Sequence, residues 1–476
     1  MNGVRIKSWA KPFKGTVTDI VYDHINLNNV SNAIVIDQQY CPAKNCPLGN
    51  LEVSISDVHF SNIQGTTTTQ IAVALNCSQS NPCQKIEMRD INIAYNGGGG
   101  PATSACANAH GSTYGQQQPP SCLAFCKTWK QACQCTEPST VIIPAGKFLV
   151  GPEMDLSGPC KGPINFNLQG DLVAPTDAAS LLPLNWVTFR YLNQLTINGG
   201  GSIDGQGASA WPHKNCKNQP TCKPFPISLS FAFVNNSAIN NIKLLNSKGF
   251  HSIMFSCNNI IIDNVGITAP GDSPTTDGIH IANTNNMQIL NSVIGTGDDC
   301  VSIGPGSKNI NIGNVQCGPG HGISIGSLGY TPNEQDVIGV HVSNCNLTST
   351  TNGVRIKSWA KPEYQSSVSD ITFDHINLNN VSNPIIIDQQ YCPSKTCALG
   401  SSGVKISDVH FSNIQGTTMT QIAVTLNCSE SNPCQKIKMR DINIAYNGGG
   451  GPAKSACANA HGAAYGQENP PSCLIA

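Results

Sequence analysis

Charge is scarce in this chain. Only 12% of its 476 residues are Asp, Glu, Lys or Arg and the formal net charge is -1, which leaves no basic surface for nucleic acid. No apolar run approaches the roughly 20 residues that a membrane-crossing helix needs, so no membrane partner is expected. Heptads and long helical periodicity are missing too, which excludes coiled coils and helical bundles. The opening run Met1 to Ala10 has no apolar core of the kind a secretory leader carries. Cysteine spacings such as Cys41 to Cys46 and Cys428 to Cys434 are not zinc knuckles, which makes zinc a poor reading of them; no metal and no cofactor is expected.

What is abundant points elsewhere. The 45 glycines, with many Asn and Ser beside Val and Ile, suit β-coils joined by tight turns. The 22 cysteines are heavy for a cytosolic protein and place the chain in an oxidising compartment. Sequons at Asn29, Asn76, Asn235, Asn346, Asn380 and Asn427 agree with secretion, so an extracellular protein is expected despite the missing leader.

The first quarter of the chain repeats the last quarter. Asn2 to Pro12 recurs as Asn352 to Pro362, and Asn96 to Pro101 as Asn447 to Pro452. Cys41/Cys46, Cys77/Cys83 and Cys106/Cys122 recur as Cys392/Cys397, Cys428/Cys434 and Cys457/Cys473, with separations of 5, 6 and 16 in both copies. Two segments are therefore expected: residues 1–123 as a duplicate of the C-terminal coils, and residues 124–476 as the working domain. The second opens on Phe125 to Cys133, whose apolar spacing predicts a short helix covering the end of the coils that follow.

Between the copies, strand-like triplets recur at Ile242, Ile260, Met287, Ile310, Val340, Ile371, Val404 and Ile437. A second series is more regular. Asp277 to Asp299 is 22 residues and Asp299 to His321 another 22, and each opens a short strand. Repeats of this length with one strand at the same phase predict a solenoid of stacked parallel strands. Stacked strands lie about 4.8 Å apart, so these ionisable groups form a ladder. With Asn352 as the next rung, apolar residues fall two and four places later in every coil. His280, Ser302, Ser324 and Arg355 fall three places later, on the outward face, and Lys357 shares that face.

Clustered carboxylates flanked by cations fit hydrolysis of a glycosidic bond in an acidic sugar polymer. One carboxyl must stay protonated to donate to the leaving oxygen while another activates water, and crowding separates their pKa values. Gly297-Asp-Asp alone is an ordinary turn, and His321 alone a loop histidine; the shared register gives them meaning. His251, His341, His375 and His410 read as surface residues, the Asn-rich turns as side-chain ladders, and Gly201 to Gly207 as a coil turn.

Ser273-Pro-Thr-Thr-Asp-Gly278, Gly297-Asp-Asp299, Gly320-His-Gly322 and Arg355-Ile-Lys357, in this order with Tyr391 downstream, closely resemble the motifs of the polygalacturonases, glycoside hydrolase family 28. The resemblance covers roughly residues 125–475 and is closest to plant exo-acting members, including pollen forms. It implies an all-β, right-handed parallel β-helix that cleaves 1,4-linked galacturonan, the acidic chain of pectin, with inversion. Carried onto matching positions, Asp298 is the general acid, and Asp277 and Asp299 hold and activate water. His321 sustains the acid, Arg355 and Lys357 bind galacturonate, and Tyr391 lines the subsite. An inverting pair is expected about 6.5 to 9.5 Å apart. A monomer acting on pectin is expected.

Thr275 departs from the family, which has Asn there. Three alternatives stay open: an endo-acting polygalacturonase, a catalytically impaired pectin-binding or allergen-like β-helix, and a calcium-dependent pectate lyase. Residues 1–123 keep Arg5, Lys7 and Tyr40, counterparts of Arg355, Lys357 and Tyr391, but no equivalent of Asp277, Asp298, Asp299 or His321. They are expected to do no chemistry.

Overall fold

The computed structural model describes residues 2–9, 13–41, 53–78, 80–98, 100–151, 153–176, 184–213, 224–393, 397 and 400–475. They form two compact units. The first comprises Met1–Leu156, Cys160–Pro175 and Gly201–Ile203; the second comprises Ser157–Pro159, Thr176–Gly200 and Asp204–Ala476.

The second unit is a right-handed parallel β-helix. One sheet runs through Ser252–Phe255, Ile279–Ala282, Val301–Ile303, Ile323–Leu328, Asn352–Trp359, Asn383–Tyr391 and Ile422–Asn427, every pair parallel. A second passes through Asn258–Asp263, Asn285–Leu290, Lys308–Gly313, Val337–Thr348, Ser366–Val381 and Val404–Thr418. Short strands Lys243–Leu245, Gly266–Thr268, Val293–Gly295 and Gln316–Cys317 make a third face, which merges into Val337–Thr348.

Alternation drives the coils inward. Ile279, Val301, Ile323 and Val354 stack in register, as do Ile281, Ile303, Ile325 and Ile356, and all are at most 1% exposed. Burying each such side chain contributes roughly 1.5–3 kcal/mol. Phe189 stacks on Phe231 at 5.5 Å between ring centres and Phe373 on Phe411 at 5.3 Å. The corners are Asn ladders, as expected: Asn236, Asn259, Asn286 and Asn309 all take left-handed φ of 49° to 56°. Asn259 donates to Asn236 at 2.8 Å and Asn309 to Asn286 at 3.0 Å. Asn tolerates that backbone region and its amide bonds the coil beside it, so one residue type makes the bend and joins it to the next.

Two triplets of the looser series sit out of line with their neighbours. Leu244 pairs with Ile267 on the third face, and Ala238-Ile239 is what pairs with Ile261-Ile262. Ile371 to Phe373 pair with Val409 to Phe411, while Val404 to Ile406 pair with Ser366 to Val368. Long strands that bend at left-handed residues such as His375 carry two apolar triplets each, and the sequence offers both.

The first unit holds a parallel sheet of Val4–Trp9, Ile34–Tyr40, Ile71–Asn76 and Thr103–Ala107, and a second through Val53–Thr67, Cys83–Tyr95 and Ala109–Gln118. Its register repeats that of the second unit: Lys7 faces Asp37 and Trp9 faces Tyr40, as Lys357 faces Asp388 and Trp359 faces Tyr391. The predicted helix is Ala124–Gln134, with Trp129 and Ala132 buried. It touches both Ser139–Ile143 and Ala109–Gln118. Disulfides join Cys77–Cys83, Cys106–Cys122, Cys428–Cys434 and Cys457–Cys473, so the recurring pairs close the same loops in both copies. Cys392–Cys397 is bonded as well; Cys41 is disulfide-bonded, and Cys46 lies outside the described residues. Ser202–Asp204 within the Gly201 to Gly207 run is a strand, and a single 3-10 turn begins at Gly207.

Candidate active site

The motif glycines explain how acidic residues enter a stacked coil. A Cβ on Gly297 would lie 1.9 Å from the Ser273 carbonyl oxygen, and one on Gly322 would lie 2.2 Å from those of Asn352 and Gly353. Only glycine lets neighbouring coils close there. Thr276, fully buried, accepts from the Gly297 amide at 3.0 Å and shares a 2.6 Å bond with Ser273. The turn carrying Asp277 is thereby tied to the turn carrying Asp298 and Asp299.

The three carboxylates then meet different partners. Asp277, 6% exposed, accepts from the Ser302 hydroxyl at 2.6 Å, and Ser302 meets His280 Nδ1 at 2.8 Å. Asp298 Oδ1 lies 2.9 Å from His321 Nδ1 and accepts from the Asp299 amide at 2.9 Å. Asp299, 2% exposed, is clamped on both oxygens. Ser324 and Arg355 donate to Oδ1 at 2.9 and 2.8 Å, and Lys357 donates to Oδ2 at 2.8 Å. The Lys357 ammonium also lies 5.2 Å from the centre of the Tyr391 ring, which stands edge-on to Trp359.

These surroundings split the acidities. Burial, then the charges of Asp298 and Asp299, push the Asp277 carboxyl well above the usual range. Burial also works against ionisation of Asp298, but the hydrogen bond and charge of His321, with Lys357 and the Asp299 amide, outweigh it and hold Asp298 low. Burial pushes His280 down to about 4, so it faces Ser302 as a neutral imidazole, and it pushes the Tyr391 phenol up.

All seven residues singled out in the sequence gather in this groove, together with three that sequence reasoning missed. Ser302 and Ser324 sit directly below the acids, hydroxyls that the outward face of the ladder placed beside them without assigning a use. The third is His251, read as a surface residue. It is fully buried beneath Asp277, with Nδ1 3.1 Å from the Asp277 carbonyl oxygen and Nε2 accepting from the Ser247 amide. Burial pushes it down to about 4, and a neutral ring with both nitrogens engaged is stable there.

Thr275 is exposed and has φ of 50°, a region disfavoured for a β-branched residue and tolerated by Asn. Thr275→Asn is therefore expected to stabilise the chain by about 1 kcal/mol, read as a higher thermal midpoint; an unchanged midpoint would count against strain at this turn.

The ligand atoms of Asp298, Asp299 and His321 lie within 4.8 Å of one another, so these are the described residues that could gather around a cation. A cation there would compete with Arg355 and Lys357 for Asp299. Two differently tuned carboxyl groups beside two cations can instead transfer protons around a bound anion.

The chain matches the sequence profile of glycosyl hydrolases family 28 over residues 1–122 and 133–473. It is 46% identical over 352 residues to an exopolygalacturonase of Oenothera organensis, covering 74% of this chain and 97% of that one. It is 45% identical over 351 residues to a polygalacturonase of Nicotiana tabacum, covering 74% and 87%. Among solved structures, endo-xylogalacturonan hydrolase from Aspergillus tubingensis shares the fold, with a TM-score of 0.61 at 20% identity over 71% of this chain and 94% of that one.

Proposed function

The chain belongs to glycosyl hydrolases family 28, and from that membership we propose that it is a polygalacturonase acting from chain ends on the galacturonan of pectin, outside the cell and as a monomer. The exo assignment draws on the Oenothera relative's name. Extracellular action fits the seven disulfides among the described residues.

The observation that carries the mechanism is the split between Asp277, pushed up, and Asp298, held low by His321 and Lys357. Asp298 is the general acid, so the proton that rests on Asp277 in the free groove has to reach it. A galacturonate carboxylate drawn to Arg355 and Lys357 supplies the cause. It engages the charge of Lys357 and brings its own negative charge near Asp298, and both effects raise Asp298. Once Asp298 is neutral, one of the charges raising Asp277 is gone, which favours ionisation of Asp277. Asp298 then gives its proton to the glycosidic oxygen as that bond breaks. Water, held by Asp277 and Asp299, attacks the anomeric carbon from the opposite face and gives up a proton to the carboxylate pair, so configuration inverts.

Product analysis on a defined oligogalacturonate tests the reading. Galacturonic acid as the sole early product is expected. Mixed oligomers would make the enzyme endo-acting, and an unsaturated ultraviolet-absorbing product lost in chelator would make it a lyase.

A further inference from the structure

The copied cradle in the first unit differs from the catalytic groove by what surrounds its cations. Arg5 and Lys7 lie two residues apart on Val4–Trp9, over the ring of Tyr40, with Arg5 Cζ 4.8 Å and Lys7 Nζ 4.3 Å from its centre. In the second unit, Arg355 and Lys357 are consumed by Asp299, and Arg355 Nε donates to Ser324. Residues 1–123 have no counterpart of Asp299 or Ser324. Arg5 has one long contact, 3.4 Å to Asp37, and its buried Nε has no hydrogen-bond partner. Lys7 is exposed and makes no ion pair among the described residues. Trp9, 49% exposed, stands edge-on to Tyr40 at 5.5 Å and extends the aromatic wall.

Two cations against one carboxylate leave a net positive cradle with an unused guanidinium donor. A planar carboxylate suits this arrangement, with the Arg fork on its oxygens and the Lys ammonium as a point charge. The exposed indole of Trp9 offers apolar surface to the C–H face of a sugar ring. We propose that residues 1–123 carry a second, non-hydrolytic site that binds a uronate residue of galacturonan at Arg5, Lys7 and Tyr40. Naming galacturonan rests on the proposed function; the anion site itself rests on the cradle. With no counterpart of Asp277, Asp298 or Asp299 beside it, the site holds the polymer without cutting it.

The test uses the full chain carrying Asp298→Asn, so that ligand survives, titrated calorimetrically with trigalacturonate. Two sites are expected, with one lost in Arg5→Gln/Lys7→Gln. Lys7→Glu, a change at an exposed side chain that spares the fold, is expected to weaken that site by about tenfold or more. A single site, or two sites that both survive Lys7→Glu, would overturn the proposal. Hydrolysis of trigalacturonate by the unsubstituted chain is assayed alongside: its absence would count against the proposed function, while the number of sites is read independently.

Discussion

Asp298→Asn is expected to lower kcat on polygalacturonate by about 10²–10⁴-fold, the range that a positioned general acid supplies. Asparagine keeps the shape of the side chain, and its oxygen can still accept from the Asp299 amide, now 2.9 Å from Asp298 Oδ1. It has no proton to give. The pH profile separates this loss from simple damage. The parent enzyme needs one carboxyl protonated and one ionised, so its rate should be bell-shaped, falling at high pH as the shared proton leaves and at low pH as the water-activating group protonates. Removing the Asp298 charge removes one of the causes that raise Asp277, so what activity remains in the variant should extend to lower pH on its acid side. A variant whose rate falls with no change in profile would assign the proton donor elsewhere.

Stability follows pH through the same groups, with opposite signs. Asp277 holds its proton in the folded chain above its unfolded value of 3.8, so its favourable contribution is present at low pH and is lost as pH rises through the raised folded value. Asp298 is held low, so its contribution is present above 3.8 and is lost as pH falls through the lowered value. Acid unfolding followed across this range should therefore lose its low-pH component in Asp298→Asn.

The ladder was legible because parallel strands in register turn a spacing along the chain into a stack in space. Asp277, Asp299 and His321 at equal intervals admit one arrangement, and Gly278, Cys300 and Gly322 hydrogen-bond it coil to coil. Partners within the groove were not legible. His321 is in register with Asp299 yet bonds Asp298, because the Asp299 oxygens are already taken by Ser324, Arg355 and Lys357. Arg355 and Lys357, expected to await substrate, neutralise a buried carboxylate in the free groove. Side-chain direction decides such choices, and register alone carries no information on it. The misplaced triplets at Ile242 and Val404 have a different origin: coils of unequal length offer two apolar triplets per turn, and only pairing selects between them. His251 was misread because a lone histidine near a turn is usually solvated, and its burial depends on the neighbouring coils.

The duplication makes the cost of burying Asp299 measurable inside one molecule. Lys357→Met is expected to destabilise the chain by about 3 kcal/mol, near the lower end for breaking a buried ion pair, because Arg355 and Ser324 still hold Oδ1 while Oδ2 loses the Lys357 ammonium. Adding Asp299→Asn should recover most of the loss, because no buried charge then lacks its partner; such recovery would give a coupling of about 2 kcal/mol or more in a double-mutant cycle. Lys7→Met changes the same residue type, in the same strand sequence, with the same facing Asp and the same tyrosine ring below. Lys7 is exposed and makes no ion pair among the described residues, so this change should cost no more than about 0.5 kcal/mol. Denaturant titration of the two single variants reads the difference directly. Equal losses would mean that lysine packing against tyrosine, and not the buried carboxylate, sets the cost.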